Sequence, residues 1–335
     1  MRLPDDAPWW LPGGNAQTVW AAVGARRTSG APLPWRRERW PTPDGDFIDA
    51  DHIDAPAAAG PVPVVVLFHG LEGSRHSHYA QALADAVRQR GWRLVLPHFR
   101  GCSGELNLQP RAYHSGDHAE IDWMLQQVKA QAGGAPLLAV GVSLGGNALL
   151  RWAIEHGEQA GQTVAALAAV SAPVDLRAAG MAIDRGFNRQ LYARMFLRTM
   201  KRKAEAKWRQ FPGLFDLQAV RAARTLYAFD NVFTAPLHGF RGTDDYWQRA
   251  SAKPGLAAIR LPALVLNARN DPFVPAHSLP QPHAVGRQVQ LWQPAHGGHV
   301  GFVQAGRGWP RAGSVQGLPQ ALLDWLARAA GVPHG

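Results

Sequence analysis

The chain has 335 residues, 46% hydrophobic and 18% charged, a globular composition that excludes wholesale disorder. Its net charge of +10 comes with no zinc-finger spacing, RNA-binding signature or alternation of basic and aromatic residues, so no nucleic-acid partner is expected. A single cysteine, Cys102, excludes an intrachain disulfide. No apolar run approaches the roughly 18 residues of a membrane-spanning helix, and MRLPDDAPWWLPGG is too acidic and proline-broken for a signal peptide, so a cytoplasmic protein is expected.

Residues 1–60 show no clear period and are expected to form an arm packed on the core. From residue 62 strands alternate with helices. VPVVVLFHG (62–70) is a short apolar run ending in glycine, as in a strand buried on both faces of a parallel sheet. SHYAQALADAVRQRG (77–91) has helical periodicity, WRLVLPHFRG (92–101) reads as a strand, and DHAEIDWMLQQVKAQAGG (117–134) as a helix with an acidic first turn. APLLAVGVS (135–143) is a strand that passes at once into a helix, LGGNALLRWAIEHG (144–157). The strands TVAALAAVSAP (163–173), LPALVLNA (261–268) and RQVQLWQP (287–294) follow, then an amphipathic helix, LPQALLDWLARAAG (318–331). Such alternation predicts an α/β fold with a mostly parallel, doubly wound sheet.

The alternation stops between residues 174 and 255, where the chain is helical, Arg-rich and aromatic. This stretch is expected to be an insertion, not an independent domain, that caps a core made of residues 61–173 and 256–335. A cap at the carboxyl ends of the strands would cover the ligand site of such a sheet. Within it, RMFLRTMKRKAEAKWRQF (194–211) concentrates basic residues with Met195, Phe196, Leu197, Met200 and Trp208 among them. A solvated basic face is the first reading, and peripheral contact with an anionic membrane the second.

The strongest chemical signal is GVSLGG (141–146), a G-x-S-x-G motif between a strand and a helix. The turn forces the Ser143 backbone into a strained conformation that lifts Oγ above the sheet, and side chains at Gly141 or Gly145 would collide across it. A serine hydroxyl needs a base, and the base needs an orienting carboxylate. Downstream, NARNDPFVP puts Asp271 in a loop after one strand, and QPAHGGHVGF puts His296 and His299 after the next. His299, freed by Gly297 and Gly298, is preferred as base. His296 is expected to line the pocket or face solvent, and Asp244 and Asp245 in GTDDYW are rival acids. Metal ligation by His296 with His299, or by His114 with His118, is disfavoured for want of further ligands at suitable spacing.

The oxyanion would be held by the Leu144 amide, following the serine, and by the Leu71 amide in HGLEGS, where His69 and Gly70 turn the chain beside the substrate. Phe187, Tyr192, Phe196, Phe240, Tyr246 and Trp247 are candidate cap residues for the pocket wall. Glu72 and Arg100 are candidate supports of the oxyanion loop and the serine turn.

With these residues in place, the chain resembles the YheT-like esterase family of α/β-hydrolases along nearly its whole length. The resemblance runs through PWWLPGGNAQT, FHGLEGSRHSHY, HFRGCSGELN, RAYHSG, GVSLGGN, GFRGTDDYWQRAS, ARNDPFVP and GGHVGF. It implies the α/β-hydrolase fold, with nucleophile, acid and base on Ser143, Asp271 and His299. It also implies hydrolysis of carboxylic esters, short-chain acyl esters or acylglycerols, with no cofactor and no metal. Acyl transfer through the same three residues, and a non-catalytic or membrane-peripheral homologue, are the alternatives.

Overall fold

The computed structural model describes residues 7–30, 32–56, 62–305 and 313–333. The first six residues and most of the low-complexity APAAAG lie outside them, so the outer parts of the expected arm are not described. The described strands are β1 (Arg36–Pro41), β2 (Phe47–Ile53), β3 (Val64–Phe68), β4 (Arg93–Pro97), β5 (Leu137–Val142), β6 (Ala166–Val170), β7 (Ala263–Leu266) and β8 (Val289–Trp292). They form one eight-stranded sheet in the order β1-β2-β4-β3-β5-β6-β7-β8. β1 and β2 are antiparallel to their neighbours, and the remaining pairs are parallel.

The central strands read as unbroken apolar runs because each face of the sheet is covered by helices. Val64, Val66 and Phe68 of β3 point into one core, which also takes Ile121, Met124 and Leu125 of helix α3 (His118–Gln131) and Leu149 and Trp152 of helix α4 (Leu144–His156). Val65 and Leu67, one register apart, point into the other, with Leu83 and Val87 of helix α2 (His78–Gln89) and Leu322 and Leu326 of helix Gly317–Ala330. The period-two alternation of a strand thus feeds two separate cores.

Within the stretch 1–60, expected as an arm packed on the core, the described chain contains two strands. Residues 36–53 form a hairpin that extends the sheet by two strands. Their sequences, RRERWP and FIDADHI, look too charged for a sheet because the charges are paired within it. Arg37 faces Asp51 and Arg39 faces Asp49 in register, and each pair is bidentate at 2.7–3.0 Å. Asp51 is also met by His98 at 2.6 Å and Arg75 at 3.5 Å. Buried charges are tolerated when partnered in this way.

Between β6 and β7 the described chain is helical, beginning with Leu176–Ile183 and including the long helix Arg194–Gln210 and Thr243–Ala250. Leu197, Phe215, Val220, Leu226, Phe229 and Phe233 give this stretch a small core of its own.

Burial works against the charge of Asp51, yet Arg37 and His98 hold its carboxyl well below the usual carboxylate range. Its folded value is depressed, so its contribution is complete above about pH 5 and is lost as the pH falls. Asp51→Asn should lower unfolding stability by about 3 kcal/mol at neutral pH. The low end of the buried-pair range applies because Arg37 is 36% exposed and can return to water. Urea unfolding of both proteins checks this, and the difference should shrink in acid.

Candidate active site

β5 ends at Val142 and α4 begins at Leu144, so Ser143 alone makes the turn, at φ 53° and ψ −121°. A non-glycine residue there is strained, and strain of this kind gathers at functional sites. The turn is held by the Ser143 amide on the Val170 carbonyl at 2.8 Å and by the Gly146 amide on the Ser143 carbonyl at 2.9 Å. The glycines fit as the motif requires. A Cβ on Gly145 would sit 2.5 Å from the carbonyl oxygens of Phe68 and His69, and one on Gly141 would sit 2.6 Å from that of Gly145.

Asp271 and His299 come to this turn from the loops after β7 and β8. Asp271 Oδ1 accepts the Phe273 amide at 2.7 Å and the Val274 amide at 3.2 Å, which fixes the carboxylate. Its Oδ2 lies 2.8 Å from His299 Nδ1, and His299 Nε2 lies 2.9 Å from Ser143 Oγ. Both Asp271 and His299 are buried, with the Phe273 ring 4.3 Å from the imidazole. Proton placement follows from the carboxylate: Nδ1 donates to it, leaving Nε2 free to accept from the serine.

Residues without a prior assignment hold the histidine loop. Helix α1 (Gly13–Val23) lays Gln17 and Thr18 against it. The Gly297 amide donates to Gln17 Oε1 at 2.9 Å, the His299 amide to Thr18 Oγ1 at 2.8 Å, and the Gly298 amide to Asn270 Oδ1 at 2.9 Å. Ser171 Oγ accepts the Val300 amide at 3.1 Å. The sequence signal for these roles was the GGNAQT segment, whose polar residues have no strand or helix period to explain them.

The loop after β3 has an alternating arrangement. The Gly70 amide donates to Tyr79 Oη at 2.9 Å and the Glu72 amide to Tyr113 Oη at 2.9 Å. The Leu71 amide between them, and the Leu144 amide at the start of α4, have no acceptor among the described residues. Leu71, Leu144 and Ser143 all border one cavity. Glu72 holds φ 56°, and its carboxylate accepts from Tyr113 Oη at 2.8 Å and from Lys203 Nζ at 2.7 Å. Glu72 is thus tied to Tyr113 and Lys203, whereas Arg100 is engaged with Asp44, Asp46 and Glu120.

His69 and Gly70, expected beside the substrate, are held from within the fold. His69 and Gly70 do not border the cavity. His69 is fully buried, its Nδ1 2.8 Å from the Gly70 carbonyl and its Nε2 accepting the Phe99 amide at 3.1 Å. Burial pushes the imidazole down to about 3, so it is a neutral brace for the turn. Gly70 serves by its size, since a Cβ there would lie 3.1 Å from that of Ser143.

The cavity lies between Ser143 and the helical stretch. Of the candidate wall residues, Phe196, Tyr246 and Trp247 border it. Phe187 is exposed, Tyr192 packs edge-on against Phe273, and Phe240 lies against Tyr246 away from the cavity. His296 is exposed, while Asp244 and Asp245 bond to Tyr227 and Arg241. Among the described residues no cluster of three or more His, Cys, Asp or Glu is placed to hold a metal ion. No described helix is long and apolar enough to cross a membrane.

A family model described as "alpha/beta hydrolase fold" matches residues 63–305. The chain is 39% identical over 314 residues to "Putative esterase YheT" of Escherichia coli (strain K12), covering 93% of this chain and 89% of the relative. It is 32% identical over 291 residues to "Phospholipase ABHD3" of Mus musculus, covering 85% and 70%. Among solved structures, the Pyrococcus furiosus esterase Pf2001 superposes with a TM-score of 0.56 at 15% identity, over 92% of this chain and 98% of that one. At that identity the likeness concerns the fold.

Thr18→Val and Gln17→Leu each strand a buried amide of the histidine loop, which typically costs about 1–3 kcal/mol. Both variants should unfold at lower temperature than the parent protein. Unchanged midpoints in both would show that helix α1 does not secure the loop.

Proposed function

The chain belongs to the α/β-hydrolase family, and from that premise we propose that it hydrolyses carboxylic esters through Ser143, His299 and Asp271. One observation carries this reading: a buried Asp–His–Ser relay, at 2.8 and 2.9 Å, ends on a strained serine that opens into a cavity. His299 Nε2 takes the Ser143 proton as Oγ attacks the ester carbonyl. Asp271 keeps the proton on Nδ1 and steadies the imidazolium. The free amides of Leu71 and Leu144 receive the developing oxyanion. His299 then protonates the leaving alcohol, and water repeats the cycle on the acyl-enzyme. These steps use the chain's own groups throughout.

The helical stretch 174–255 acts in this proposal as the cap. Its Ile183, Phe196, Met200, Leu226, Phe229 and Phe233 supply much of the cavity wall, a surface for an acyl chain rather than a polar one. Ester or lipid substrates are also in keeping with the names of the esterase and phospholipase relatives. Tyr79, Tyr113 and Glu72 are positioning residues, because they engage every neighbour of the Leu71 amide and leave that amide to the substrate.

A fluorophosphonate should label Ser143, located by peptide mass spectrometry. Ser143→Ala should lower kcat on p-nitrophenyl esters on the order of 10⁶-fold. Tyr113→Phe, which frees the Glu72 amide, should lower kcat by up to about 10²-fold with little change in KM. Labelling at another residue, or turnover that survives Ser143→Ala, would sink the assignment. Added alcohols would reveal acyl transfer as new ester products.

A further inference from the structure

Helix Arg194–Gln210, with the turns that lead into it from Gly186, has two different faces. The inner face carries Phe196, Met200 and Lys203 to the cavity, with Lys207 buried behind them. Both lysines are engaged, Lys203 with Glu72 and Lys207 with the carbonyls of Asn107 and Gln109. The basic stretch is therefore not uniformly solvated, and only part of it is free to meet a partner.

The outer face is both apolar and cationic. Phe187 is 61% exposed, Leu191 40% and Met195 53%, at a spacing of four residues that keeps them on one side. Arg185, Arg189, Arg194, Arg198 and Arg202 stand exposed among them. No described carboxylate lies within ion-pair distance of these arginines. Of the nearby acids, Glu205 is bonded to Arg221 at 2.9 Å, and Asp184, which feels Arg189, is buried and accepts the Leu226 and Tyr227 amides. Exposed Phe, Leu and Met set among unneutralised arginines match the interfacial zone of a bilayer, where phosphate lies beside hydrocarbon.

We propose that the outer face of residues 185–202 docks the protein on an anionic phospholipid surface, with Phe187, Leu191 and Met195 entering the acyl boundary and the arginines meeting lipid phosphates. Charge complementarity sets the sign of the surface, and the apolar side chains set its kind. A nucleic-acid backbone would satisfy the arginines but offer nothing to the phenylalanine, leucine and methionine. Because the opposite face of the same helix walls the cavity, docking places the cavity one helix thickness from the lipid. The surface is separate from Ser143, so binding does not depend on the proposed chemistry.

Co-sedimentation of the full chain with vesicles tests this, using phosphatidylcholine alone and a phosphatidylcholine–phosphatidylglycerol mixture. The protein should pellet with the mixed vesicles, barely with the neutral ones, and less as salt screens the charges. Each of Arg189→Gln, Arg194→Gln and Arg198→Gln should weaken partition about fivefold. The triple variant Phe187→Ala, Leu191→Ala, Met195→Ala should bind weakly even at low salt. Every variant should keep the parent's thermal midpoint and its turnover of a water-soluble ester. Three results would overturn the proposal: equal binding to both vesicle types, anionic binding untouched by the variants, or displacement from vesicles by a single-stranded oligonucleotide. Loss of ester turnover in Ser143→Ala with vesicle binding intact would leave docking and chemistry as separate properties.

Discussion

Helix α4 begins so close to the end of β3 that no side chain fits between them, and the rest of the site is built on that approach. The hydrogen of Gly145 faces the carbonyls of Phe68 and His69 at a distance where a Cβ would overlap them. This closeness makes Ser143 turn in one residue at positive φ. It also sets the start of α4, with its unpaired Leu144 amide, beside the loop that carries Leu71. Both amides lack an acceptor among the described residues and both residues border the cavity beside Ser143, which is what the proposed oxyanion role asks of them.

The strain at Ser143 persists because its surroundings over-determine it, and the acid and base loops share that feature. His299 sits in a loop where Val300 and Phe302 also take positive φ. The loop's amides are met by Gln17, Thr18, Asn270 and Ser171, so its conformation is held by side chains from three other segments. The N-terminal helix is thus part of the site's scaffold, although no residue of it touches the Asp–His–Ser relay except through the His299 backbone. His69 extends the same logic on the other side, bracing the loop from inside the core as a neutral ring.

What the sequence made legible follows from how local each signal is. Strands β3 to β8 and helices α2 to α4 announced themselves because burial on both faces leaves apolar runs and one-sided periods. The serine turn was legible because glycine spacing records a backbone collision. Asp271 and His299 could be placed from chain order and strand ends alone. The hairpin of β1 and β2 escaped because its buried charges are neutralised across the ladder, Arg37 on Asp51 and Arg39 on Asp49, and pairing between segments leaves no local trace. Tyr79 and Tyr113 escaped for a related reason: each acts through one hydroxyl on a backbone group of another segment. The burial of His69 left no sequence trace, because its partners are the Gly70 carbonyl and the Phe99 amide of another segment.

The helix Arg194–Gln210 links the remaining observations. Its Lys203 bonds to Glu72, whose amide neighbours that of Leu71, so the position of this helix is tied to the geometry of the free amide by one ion pair and one residue. Burial works against the Lys203 charge, but Cys102 and Glu72 keep the ammonium above its usual range. Lys207, one turn on, donates to two backbone carbonyls and lies over the Phe211 ring, and burial pulls it down to about 8. The two lysines fasten the helix to the core at the loop carrying Glu72 and at the 107–109 loop. An occupant that pushed on the Phe196 and Met200 wall would load both fastenings, and only one of them leads to Leu71. Under the proposed ester chemistry, the ion pair with Glu72 would be the contact through which pressure on this wall reaches the loop of Leu71, with the carbonyl clamp on Lys207 holding the next turn in place.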